Sequence, residues 1–136
     1  MQEFFVREMS ALAAVFAALD EFARRHDIGD RVRGDLGVIV EELFTNQVRH
    51  ARSGKEDIRI RFTLRDEVVE IELRDRDVEP FDPTAAPQVD TSRPAAERQP
   101  GGLGIHLVRS LSDTFEWDYD DRRRESRIRV TRRLTR

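Results

Sequence analysis

Residues 58–75, IRIRFTLRDEVVEIELRD, alternate in a way that decides the fold. Ile58, Ile60, Phe62 and Leu64 share one face, and after the polar turn Arg65-Asp66-Glu67 so do Val69, Ile71 and Leu73. Successive side chains of a strand point to opposite faces, so two such runs joined by a short polar turn predict a β-hairpin. Strands that arrive in adjacent pairs need no crossover helix, which argues against a doubly wound parallel sheet.

Upstream the period changes. Leu12, Val15, Phe16, Leu19 and Phe22 recur at helical spacing and predict an amphipathic helix from about Ser10 to Arg25. After a turn at Asp27 to Asp30, the set Val32, Leu36, Ile39, Val40, Leu43, Phe44 and Val48 predicts a longer helix to Ala51, with Gly54 as a stop. Downstream, the segment from Arg76 to Pro100 has neither period. It holds all five prolines and leads into Gly101-Gly102-Leu103-Gly104, so it reads as a functional lid or a disordered insert. Ile105, Leu107, Val108 and Leu111 then predict a short helix. Phe115, Trp117 and Tyr119, followed by Ile128, Val130 and Leu134, predict a second hairpin around the charged turn Asp120 to Arg124. This order predicts an α+β two-layer sandwich, a sheet with helices packed on one face.

The composition narrows the class. A chain of 136 residues fits one domain, residues 1–136, and excludes a second catalytic domain. Without cysteine there is no disulfide framework, zinc ribbon or thiolate nucleophile. The longest apolar run, Ala11 to Leu19, is too short to span a bilayer and lacks the features of a signal peptide, so a cytoplasmic protein with no membrane contact is expected. Twenty-four Lys+Arg against 27 Asp+Glu, a formal net charge of -3, argue against bulk attraction to nucleic acid.

Three features carry chemistry. Glu42 and Asn46 stand four apart on the second helix, which puts a carboxylate and an amide one turn apart beside the apolar stripe. A carboxylate there suits a general base and an amide oxygen suits Mg²⁺, while a plain polar flank is the alternative. Asp75 stands where the first hairpin meets the long loop; it suits a hydrogen bond from a base amino group, or is a turn aspartate. Gly101, Gly102 and Gly104, around Leu103, precede a helix whose free N–H groups favour a phosphate, a hinge being the alternative. Lys55 after Gly54 lacks the rest of a P-loop, and Leu107 occupies the third glycine position of a dinucleotide fingerprint. His26, His50 and His106 lack metal-ligand spacing and read as surface or capping residues. The arginines alternating with Ile128 and Val130 read as a solvated outer face.

Taken in order, Val38-Ile39-Val40-Glu41-Glu42-Leu43-Phe44-Thr45-Asn46-Gln47-Val48-Arg49-His50-Ala51, then Asp75 with Pro80-Phe81-Asp82-Pro83, then Gly101-Gly102-Leu103-Gly104-Ile105-His106-Leu107-Val108, resemble the ATPase domain of the GHKL group. Within it the chain looks like the small anti-sigma-factor serine kinases of the RsbW and SpoIIAB type. The resemblance implies the Bergerat α/β sandwich with a mixed, mostly antiparallel sheet, and an ATP lid over about residues 76–100. It implies Glu42 as general base, Asn46 as the Mg²⁺ ligand, Asp75 on the adenine amino group, and Gly101, Gly102, Leu103 and Gly104 along the ATP phosphates. The partners implied are a STAS-domain anti-anti-sigma protein, which receives the phosphoryl group on serine, and a sigma factor. An adaptor that sequesters a sigma factor or STAS protein without kinase activity is the competing reading.

Two local expectations follow. The family's first glycine box has glycine two residues after the aspartate, whereas this chain has Asp77; a turn with positive φ there is harder for aspartate than for glycine. Only Glu3 to Arg7 are available for the first strand common in the family, and any homodimer built on that strand has only this segment to use.

Overall fold

The computed structural model describes residues 1–51, 54–85 and 102–135. The chain runs β1 (Gln2–Phe5), α1 (Leu12–Arg25), α2 (Asp30–His50), β2 (Ile58–Arg65), β3 (Val68–Asp75), α3 (Gly102–Leu111), β4 (Thr114–Asp120) and β5 (Glu125–Arg133), with single 3-10 turns at Met9–Ala11 and Pro83–Ala85. Each expected helix and strand is present, the short first strand included. The strands form a five-stranded sheet in the order β1-β2-β3-β5-β4. Its four pairings are all antiparallel, so the described sheet contains no parallel component.

The β2–β3 turn is tighter than the sequence suggests. Arg65 pairs with Val68, leaving only Asp66 and Glu67 as the loop, with φ of 52° and 62°. Positive φ at both central residues is the geometry that follows the right-handed twist of the flanking strands, and asparagine and glycine normally supply it.

The alternation of residues 58–75 sorts the sheet into two unlike faces. Ile58, Ile60, Phe62, Val69, Ile71, Leu73, Ile128 and Val130 are buried against the helices. Leu36, Ile39, Val40, Leu43 and Phe44 of α2 fill the centre of that core, and Phe22 of α1 stacks on Phe62 with centroids 5.6 Å apart. On the opposite face, Glu72 in the central strand is 2% exposed because arginines from three strands cover it. Arg74 Nε is 2.9 Å and Arg61 Nη2 3.1 Å from its oxygens, with Arg129 and Arg59 at 3.7 and 4.0 Å. The outer face, expected as a solvated one, carries a lattice of ion pairs in which several arginines share the carboxylate of Glu72.

One arginine of β5 breaks the pattern. Arg132 falls on the helix side and is 2% exposed, with Nη2 2.8 Å from Asp35 Oδ2 of α2. No helix among the described residues is long and apolar enough to cross a membrane.

The strained turn offers a direct check. Replacing Asp66-Glu67 by Asn-Gly removes two unfavourable backbone conformations from an otherwise unchanged hairpin. It is expected to stabilise the fold by about 1 kcal/mol in urea unfolding, with an unchanged m-value.

Candidate functional site

Helix α2 carries the site. Its apolar stripe is turned into the core, which leaves Glu42 half-buried at the stripe's edge and buries Asn46 and Gln47 to 4% and 1% exposure. Glu42 meets the start of α3: a Cβ built on Gly104 would overlap the Glu42 carboxylate and stand 3.1 Å from Cγ. Only glycine lets the first turn of α3 come this close to the carboxylate, which gives the glycine a specific steric reason. Burial raises the Glu42 pKa and the neighbouring Glu41 charge raises it further, against a smaller lowering by Arg49. A carboxyl so placed is more basic than an ordinary glutamate.

Asp75 is the last residue of β3, paired with Ser126 of β5, and is fully buried. It is therefore a strand-end carboxylate inside the fold, and the turn-aspartate alternative does not hold. Gln47 Nε2 donates to its Oδ2 at 2.8 Å. Arg7, from the segment just after β1, also donates to Oδ2, at 3.0 Å through Nη1, and closes a bidentate pair through Nη2 on Oδ1. The same guanidinium donates to the carbonyls of Ala51 at 3.2 Å and Glu56 at 3.4 Å. Gly54 lies directly against it, its would-be Cβ 2.7 Å from Arg7 Nε. The sequence presents Gly54 as a helix stop, but α2 ends at His50, and what Gly54 does is leave room for this guanidinium.

The turn after Asp75 does require positive φ. Asp77 has φ 54°, the value at which glycine would be preferred. The second hairpin holds it there: Val78 N–H donates to the Arg124 carbonyl at 3.0 Å, Tyr119 Oη donates to the Val78 carbonyl at 2.5 Å, and Arg124 pairs with Asp77 at 3.4 Å. Further on, Phe81 stacks on His50 at 4.7 Å, and Arg109 of α3 donates to the Thr84 carbonyl.

Two of the expected site residues, Glu42 and Asn46, lie on α2, and the others lie on β3 and at the start of α3. Glu42 faces Gly104 at the start of α3, while Gln47, next to Asn46, bonds Asp75 at the end of β3. Gly102 opens α3, and Leu103 lies in its first turn. Gly101 and residues 86–100 of the expected lid lie outside the described residues. Among the described residues no group of three or more His, Asp or Glu side chains suits a metal ion. Arg7 lies outside every motif, and Gln47 lies within the stretch from Val38 to Ala51 but the resemblance gives it no role; nothing in the local sequence singles either of them out.

A model of the histidine kinase-like ATPase domain matches residues 5–131. The chain belongs to that family. It is 31% identical over 93 residues to the serine-protein kinase RsbW of Listeria monocytogenes serovar 1/2a, covering 64% of this chain and 59% of that protein. It is 31% identical over 90 residues to RsbW of Halalkalibacterium halodurans, covering 63% and 55%. The chain thus matches less than two thirds of the length of either relative. Among solved structures, the SiaB–SiaC complex of Pseudomonas aeruginosa contains a chain with the same fold, at TM-score 0.64 and 12% identity over 97% of this chain and 88% of that one. The histidine kinase domain of a blue-light activated kinase from Erythrobacter litoralis matches at TM-score 0.51 and 16% identity, over 93% and 60%.

The Arg7–Asp75 pair is testable by stability alone. Asp75→Asn leaves a mostly buried guanidinium facing a neutral amide, and is expected to cost about 3 kcal/mol in denaturant unfolding. A loss under about 1 kcal/mol would show that the pair is not held in the folded chain.

Proposed function

We propose that the chain is an ATP- and Mg²⁺-dependent protein-serine kinase that phosphorylates a STAS-domain anti-anti-sigma protein and otherwise sequesters a sigma factor, in a cytoplasmic partner-switching pathway. Residues 1–136 act as a single ATPase domain with the lid over about residues 76–100. The observation that carries this reading is the contact between Glu42 and Gly104, which sets a basic carboxylate against the N-terminal turn of a helix. A helix N-terminus presents unpaired N–H groups to the terminal phosphate, and a base beside it meets the hydroxyl that attacks that phosphate.

The donor set near Glu42 fits a metal that arrives with the nucleotide. Mg²⁺ prefers a few oxygen ligands supplemented by phosphates and water, and the Asn46 amide, one turn from Glu42, offers such an oxygen. When bound, Mg²⁺ offsets charge on the phosphate oxygens. The protein's own groups do the rest: Asp75 accepts from the adenine amino group, the α3 N-terminus orients the γ-phosphate, and Glu42 removes the serine proton. Gly104 keeps the Glu42 carboxylate in reach of both. The relatives named serine-protein kinase support the reaction class.

Transfer of labelled phosphate from ATP to a STAS protein is expected in the wild type, and Glu42→Ala is expected to lower it by about 100-fold or more. Undiminished transfer in the mutant would remove Glu42 from the base role. Transfer absent from the wild type, with the sigma factor still bound, would establish the adaptor reading instead.

The raised Glu42 pKa sets a pH dependence. The base must be ionised, so the rate is expected to rise with pH, with its acidic limb above the usual glutamate range. Arg49→Met removes a cation that favours the ionised form and is expected to move that limb to higher pH. Glu41→Gln removes a like charge and is expected to move it lower. A limb that stays in place in both variants would assign it to another group.

A further inference from the structure

Asp75 accepts three hydrogen bonds, two at Oδ2 and one at Oδ1. An ionised carboxylate has about four acceptor positions, so one remains unfilled by the described residues, at Oδ1. Gln47 has committed its Nε2 to Asp75, and its Oε1 is buried with no partner among the described residues. Both unused positions accept and neither donates. Arg7 fixes this arrangement. Its side chain is 11% exposed, and the guanidinium is held by the carbonyls of Ala51 and Glu56, by the carboxylate, and by the space left at Gly54. A planar fork is needed to meet two carboxylate oxygens and two carbonyls at once, which lysine cannot do.

We propose that Arg7 is a positioning residue of the base subsite, acting through Asp75, and that together with Gln47 it restricts the subsite to bases carrying an exocyclic amino group. This rests on the nucleotide-binding reading above. By occupying the other acceptor positions, Arg7 and Gln47 leave Oδ1 and the Gln47 carbonyl to receive the two hydrogens of one amino group. A base with an oxo group at that position sets lone pairs against lone pairs and leaves buried acceptors unsatisfied, the situation in which a polar site discriminates most strongly. Without Arg7, the Asp75 carboxylate loses its orientation and the discrimination with it.

The test compares Mg-ATP with Mg-ITP, which differ in the 6-amino and 6-oxo groups, by calorimetric titration of the full chain. The wild type is expected to prefer ATP. Arg7→Met is expected to narrow the ATP-to-ITP affinity ratio about tenfold or more, the scale of one hydrogen bond to a charged group, by weakening ATP far more than ITP. Arg7→Lys is expected to recover part of that ratio. An Arg7→Met chain that keeps the wild-type ratio, whether both affinities hold or both fall together, would overturn the proposal and leave Arg7 a purely structural residue. Equal binding of the two nucleotides by the wild type would also overturn it while preserving nucleotide binding. No binding of either would overturn the nucleotide reading itself. Should Arg7→Met fail to show a cooperative melt, Gln47→Leu leaves the ion pair in place and carries the same expectation: a narrowed ratio supports the proposal and an unchanged one overturns it.

Discussion

A carboxylate with no exposure at the end of the central strand is costly unless its charge is paired and its lone pairs are filled. Asp75 is in that position, and the way it is satisfied organises the neighbourhood. Its partners come from the N-terminal segment through Arg7 and from α2 through Gln47, while the carbonyls that also hold Arg7 belong to Ala51 and Glu56. Four separate stretches of chain therefore meet around one side chain. Such a cluster adds little net stability compared with an apolar replacement, but it fixes positions that a greasy contact would leave adjustable.

Helix α2 is fastened to the sheet at its other end by a second pair, Asp35 with Arg132. Between the two lie Leu36, Ile39, Val40, Leu43 and Phe44, buried on the inner sheet face. Hydrophobic burial supplies the driving force, and the two ionic contacts set where along the sheet the helix comes to rest. Glu42 and Asn46 inherit that register. The approach of Glu42 to the start of α3 follows from how α2 is seated, and the absence of a side chain at Gly104 allows it.

The architecture was legible because its periods are clean. Residues 58–64 and 69–75 each alternate, on either side of one polar turn, the α2 stripe keeps helical spacing from Val32 to Val48, and the proline-rich stretch interrupts both patterns. Glu42, Asn46, Asp75 and the glycine cluster stood out because their residue types and order are characteristic. Arg7 and Arg132 did not, since their partners lie 68 and 97 residues away and a solvated arginine looks the same in sequence as a buried one. Gly54 was visible as a glycine but not as a space for a guanidinium. Asp77 was visible as a departure from the family pattern; that the turn keeps positive φ regardless is seen only in the fold, where Val78 is bonded to Arg124 and Tyr119 of the second hairpin.

The strand order has a consequence for the time course of folding. Strand β3 is flanked by β2, its immediate predecessor, and by β5, which is made only after the long loop, α3 and β4. During synthesis β3 stays an open edge with its polar backbone unpaired until the last strand emerges, although its hairpin with β2 has long been available. Arg7 likewise waits for Asp75. The contacts that close the molecule around Asp75 are thus among its most non-local, and such closures are slow because loop entropy must be overcome before any contact compensates for it. Until then the β2–β3 hairpin and the two N-terminal helices form an incomplete layer, which makes this intermediate, more than the finished fold, the species at risk of pairing with another chain.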